Sequence, residues 1–147
     1  MEFIWIILIV AVASVILFIT ADYLMKLKKT PQSAEGFIWN AVYFIQLKQY
    51  EKALALLDQM EQEVAITPEE MCDACVQRAD ANKALGRKEQ ACDAYDRLYE
   101  ALQSCEGTLK QNVDLLKEIK DCYQSCDRGL DFEKWAILFL KNENTEE

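Results

Sequence analysis

From Phe3 to Ala21 the chain carries no charged residue and no proline. At about 1.5 Å per helical residue such a stretch reaches about 30 Å, the thickness of a bilayer's hydrocarbon core. A helix of a small globular domain keeps a polar face, and this stretch has none. The sequence therefore predicts a transmembrane helix, with the remainder of the chain attached to its C-terminal end. A cleaved signal peptide would need a basic leader, a shorter apolar core and a small-x-small cleavage site after it. Only Met1 and Glu2 precede the stretch, and Ala11-Val12-Ala13 lies inside it. Lys26, Lys28 and Lys29 follow it, with nothing basic before it. Flanking cations stay on the cytoplasmic side, so the expectation is a single-pass membrane protein with its N-terminus outside and its C-terminal domain facing the cytoplasm. The chain divides into an anchor with a basic collar (1–29), a helical domain (30–141) and an acidic tail (142–147).

The part beyond the collar is large enough for one domain with a core of its own. The whole chain has a formal net charge of −9, and the part from Thr30 onward, domain and acidic tail together, is more acidic still once the three collar lysines are set aside. An acidic domain is repelled by phosphates, which argues against nucleic acid as a partner. No histidine is present, so the commonest general base and the commonest metal ligand are both missing. Four glycines and two prolines in 147 residues suit helices rather than a turn-rich β fold.

Hydrophobic periodicity beyond Thr30 is helical throughout. Thr30-Pro31 and Thr67-Pro68-Glu69-Glu70 are helix-start signatures. In the second, the threonine hydroxyl caps a free N–H, proline takes the first helical position and Glu70 completes a capping box. Breaks fall near Lys48-Gln49, Gly86-Arg87, Glu106-Gly107 and Gly129-Leu130. Six helices are predicted, over roughly 32–47, 50–64, 68–85, 88–104, 108–127 and 131–141, and short turns make sequence neighbours antiparallel.

The hairpins resemble one another. Tyr50-Glu51-Lys52-Ala53, Lys88-Glu89-Gln90-Ala91 and Phe132-Glu133-Lys134-Trp135 each follow a turn. Phe37, Ala41, Phe44, Tyr50, Ala53 and Leu57, and then Cys75, Ala79, Gly86, Ala91, Tyr95 and Leu98, fall where tetratricopeptide repeats place their large and small packing residues. A small residue on each helix lets the backbones approach, and large residues one turn away fill the groove. With a period of about 34 residues stretched by longer loops, the pattern resembles tetratricopeptide repeats over about residues 33–141. That resemblance implies an all-α fold, a small solenoid of three helical hairpins, and a role as a binding scaffold. Tyr123 and Trp135 stand where small residues are expected, which marks the third hairpin as divergent or as a cap.

Six cysteines, Cys72, Cys75, Cys92, Cys105, Cys122 and Cys126, admit three readings. Cys72-x2-Cys75 with Cys122-x3-Cys126 could supply four thiolates to zinc. The pairs fall within predicted helices at core spacings, however, and free cysteine is a small, commonly buried hydrophobe. Packing cysteines are therefore the preferred reading, ahead of disulfides and metal. No cofactor motif, phosphate loop or nucleophile motif stands out, so an enzyme is not expected.

Two surfaces are candidates for a partner. The first helix of each hairpin should line a groove, apolar at one end (Ile38, Val42, Ile45), acidic in the middle (Asp73, Asp80, with Lys83) and basic at the far end (Lys117, Lys120, Arg128). The last helix has a core stripe of Phe132, Trp135, Ala136 and Phe139, which leaves Ile137, Leu138 and Leu140 as an unshielded apolar end. The resulting expectation is a membrane-anchored adaptor that recruits or stabilises another protein. The alternatives are an accessory subunit of a larger membrane complex and a cysteine-based redox or metal module.

Overall fold

A computed structural model describes residues 11–20, 31–105 and 112–143, with side chains as far as Leu138. The chain separates into two units, Met1–Pro31 and Gln32–Glu147. In the first, residues 11–20 are helical (α1) and every one of them is exposed. No helix among the described residues is long and apolar enough to cross a membrane. The expected transmembrane helix over 3–21, the single-pass topology and the cytoplasm-facing orientation are corrected on this finding. Apolar composition satisfies only half of the requirement for a span; the other half is about 20 residues of continuous helix. Positions 3–10 and 21, with the Lys26, Lys28 and Lys29 collar, lie outside the described residues.

The second unit contains α2 (Ala34–Gln46), α3 (Tyr50–Glu63), α4 (Pro68–Ala84), α5 (Lys88–Gln103), α6 (Val113–Ser125), a 3-10 turn at Gly129–Phe132 and α7 (Glu133–Glu143). Its regular structure is helical throughout the described residues. Local chemistry explains the starts. Ser33, rather than Thr30, caps α2 by accepting from the Gly36 N–H at 3.2 Å. Thr67 and Glu70 form the expected capping box, with Thr67 N donating to Glu70 at 2.9 Å and Glu70 N to Thr67 at 3.2 Å. Asn112 caps α6 by accepting from Leu115 N at 3.0 Å, so this helix starts at Val113 and not near 108. A side-chain oxygen at the cap position supplies an acceptor to an N–H that has no partner within the helix.

Three turns share one form. After α2, Lys48 N donates to Ile45 O and Gln49 N to Phe44 O. After α4, Gly86 N donates to Lys83 O and Arg87 N to Asn82 O; after α6, Asp127 N donates to Gln124 O and Arg128 N to Tyr123 O. The middle residue is left-handed each time, with φ of 58° at Lys48, 73° at Gly86 and 55° at Asp127. This is the Schellman closure, which satisfies the last carbonyls of a helix and reverses the chain. The first two turns lead directly into α3 and α5, whereas the third leads into the 3-10 turn before α7. The third unit is therefore not a plain helical hairpin.

Two cores result, and α4 lies between them. Ala74 faces one, with Ala34, Phe37, Ala41, Ala53, Leu57 and Met60 from α2 and α3. Cys72, Cys75 and Ala79 face the other, against Tyr95 and Leu98 of α5, Ile119 and Tyr123 of α6 and Trp135 of α7. Ala41, Ala53, Ala79 and Ala91 are all fully buried. A methyl side chain at each lets backbones come close, and each large side chain buried beside them contributes about 1.5–3 kcal/mol relative to exposure.

Candidate functional site

Helices α2, α4 and α6 each keep an exposed stripe. On α2 it runs through Glu35, Trp39 and Gln46; on α4 through Glu69, Asp73 and Ala84; on α6 through Lys117, Lys120 and Gln124. These are helical spacings, so each stripe is the side of its helix opposite the core. Charge changes along the series, from acidic residues on α4 to lysines on α6.

The expected groove residues divide. Ile38 and Ile45 are half-buried against the first core, and Val42 is half-buried beside them. Asp73, Lys117 and Lys120 are exposed. Lys83 is brought together with Asp80 at 2.8 Å and with Glu118 of α6 at 2.9 Å, a bridge from α4 to α6. Arg128 turns away from that series. Its guanidinium contacts Asp96 at 2.6 Å, Asp131 at 2.7 Å and Asp93 at 3.4 Å, which ties the third turn to α5. In the last helix Ile137 is 64% exposed, whereas Leu138 packs in part against the second core. The Leu140 side chain lies outside the described residues.

Sequence reasoning passed over Trp39, which is 66% exposed on α2. The signal was available, because Trp39 stands one turn after Glu35 on the same stripe as Gln46. A cleft of about 440 Å³ between α3, α4 and α5 was also missed. Arg78 spans its floor, bonded to Asp58 at 2.5 Å and Glu61 at 2.8 Å, and Arg87 pairs with Glu51 at 2.5 Å. The arginines there are occupied by the domain's own carboxylates. Burial alone would raise the Glu61 carboxyl, but Arg97 and Arg78 outweigh it and hold it below its ordinary range.

The cysteines collect in two groups. Cys72 and Cys105 sulfurs lie 3.4 Å apart. Cys92 lies 3.4 Å from Cys122 and 3.3 Å from Cys126. Burial, with help from the neighbouring thiol, pushes Cys72 up to about 12, and burial takes Cys75 up to about 11. The four-thiolate set of Cys72, Cys75, Cys122 and Cys126 is not assembled, and no metal-holding group of His, Cys, Asp or Glu occurs among the described residues. The thiols pair instead by helix contact, α4 with the end of α5, and α5 with α6.

Fold and site together define an all-helical domain in which α2, α4 and α6 each keep an exposed stripe. No known protein family, curated protein or solved structure matches the chain. The tetratricopeptide assignment has no support from these comparisons and is withdrawn; the helices stand on their own geometry.

Proposed function

We propose that this domain is a protein-interaction scaffold that binds a segment of another protein across the exposed stripes of α2, α4 and α6. The observation that carries the reading is Trp39, a large aromatic side chain held in water by a helix that buries Phe37 and Ala41 on its other side. Tryptophan is enriched among the few residues that dominate binding energy, since it offers a large rigid surface at low entropic cost. The acidic α4 stripe and the basic α6 stripe would orient the bound segment by charge. Such a role needs rigid presentation of a surface and no catalytic group.

A photo-crosslinking amino acid at position 39 tests this reading, with one at position 130 as control, since Leu130 is 82% exposed on the 3-10 turn. A discrete adduct from position 39, absent from position 130 and lost on competition with the unmodified chain, is the expected result. Failure to form an adduct at 39, or the same adducts from both positions, would remove Trp39 as the anchor.

A further inference from the structure

A second cleft, of about 340 Å³, opens between the α4–α5 turn and α6. Lys83 and Lys88 stand on one side, Glu118 and Asp121 of α6 on the other, and Cys122 and Ser125 line it; Glu118 is already paired with Lys83 at 2.9 Å. Cys122 is only 7% exposed, but the surface it shows belongs to this cleft. Behind it lies Cys92, fully buried, with Cys126 on its other side, half-buried at the end of α6. Three thiols in mutual reach of one central sulfur, with one of them opening onto a cleft, differ from isolated packing cysteines. Packing needs only apolar volume, and alanine or valine would supply it.

We propose that Cys92, Cys122 and Cys126 form a thiol–disulfide exchange site whose reactant is a small zwitterionic disulfide received in this cleft. Lys88 on one side and Asp121 on the other complement a molecule carrying both carboxylate and ammonium groups. The Cys122 thiolate attacks one sulfur of the reactant; the reactant's S–S bond breaks, and the first thiolate leaves with the proton given up by Cys122. The product is a mixed disulfide on Cys122. Cys92, whose sulfur starts 3.4 Å away, then attacks the Cys122 sulfur. The second reactant thiolate leaves and takes the Cys92 proton. Two protein thiols are thereby oxidised to one disulfide, and one small disulfide is reduced to two thiols. Cys126, 3.3 Å from Cys92, can displace Cys122 from the new bond and return it to the cleft as a thiol. Either bond ties α5 to the end of α6. Burial holds the Cys122 thiol above its ordinary range, so the exchange is slower than at an exposed thiol.

Cys72 and Cys105 serve as an internal control. Their sulfurs are as close, 3.4 Å, but both are buried and neither lines either of the two clefts described above. Incubation of the folded full-length chain with oxidised glutathione, followed by acid quench and non-reducing peptide mapping, tests the proposal. The expected result is an early Cys92–Cys122 or Cys92–Cys126 crosslink, formed before any Cys72–Cys105 crosslink. Cys92→Ser should halt the reaction at a glutathione adduct on Cys122, with helix content checked by circular dichroism; Cys75→Ser should react as the parent does. A chain that forms no crosslink, one that oxidises Cys72–Cys105 first, or a folded Cys92→Ser chain that carries no adduct on Cys122 would overturn it. If Cys92→Ser does not fold, the order of crosslinking in the parent chain decides.

Discussion

Tyr123 donates its phenolic hydrogen to Asp96 Oδ1 at 2.6 Å, joining α6 to α5 where two cations also converge. Arg128 reaches the other oxygen of Asp96 at 2.6 Å, and Lys134 of α7 bonds the first at 2.5 Å. Lys134 also lies 5.0 Å from the centre of the Tyr99 ring. One carboxylate thus gathers α5, α6, the third turn and α7. Burial would raise the Asp96 carboxyl, but the bonds from Lys134, Tyr123 and Arg128 outweigh it and hold it below its ordinary range.

A depressed carboxylate stabilises the fold at every pH above its unfolded-state value of about 4, and the contribution disappears as pH falls from there through the lower folded value. Asp96→Asn should therefore cost about 1.5–3 kcal/mol at pH 7, the range for hydrogen bonds to a charged group. Below about pH 4 the difference from the parent should shrink. Urea denaturation across a pH series measures both; an equal loss under acid and neutral conditions would assign the effect to shape rather than charge.

The left-handed turn residues make a second test. A side chain at positive φ costs about 1–2 kcal/mol, and glycine's greater freedom in the unfolded chain returns part of that. Lys48→Gly should gain about 0.5 kcal/mol. Asp127→Gly should gain less, because a short polar side chain tolerates this conformation. Gly86→Ala should lose about 1 kcal/mol for conformational reasons alone, since an added methyl would meet nothing within 4 Å. Thermal denaturation of the three variants should place them in that order.

Overpacking is expected at Ala79, which is fully buried on α4 beside Ala91 and Tyr95 of α5 in the second core. Ala79→Leu should cost about 1–3 kcal/mol by forcing the two helices apart. Unchanged stability in chemical denaturation would mean that α4 and α5 can separate without loss.

Two tryptophans should behave in opposite ways. Trp135 is fully buried, with the Tyr99 ring 5.4 Å away at an edge-on angle, and Trp135→Ala should cost about 3–5 kcal/mol. Trp39→Ala should shift stability by no more than about 0.5 kcal/mol, as for other exposed positions. Should the two variants melt alike, Trp39 has a packing role and cannot be the anchor of a binding surface.

Much of the second unit is legible in the order of its residues. Helix α4 begins where its Thr-Pro-Glu-Glu signature says, and α2, α3 and α5 begin or end within two residues of their expected bounds. The candidate site is legible in part. The stripes of Asp73, Lys117 and Lys120 follow from helical spacing, whereas Arg128 fits that spacing and is drawn to α5 instead. The membrane reading of the N-terminal stretch rested on apolar composition, and no helix among the described residues is long and apolar enough to cross a membrane.

What the sequence by itself determined is what neighbours in the chain decide: helical register, the cap at Thr67, the glycine at the second turn, the placing of small residues on facing sides. Each depends on residues within about one helical turn, where backbone hydrogen bonding and side-chain spacing suffice. Only the tertiary structure decided that Trp39 is exposed, that Asp96 collects three donors, and that Cys92 meets Cys122 and Cys126 rather than Cys75. Those outcomes depend on which helix faces which. That choice rests on burial and shape between segments some 30 residues apart, which no local pattern encodes.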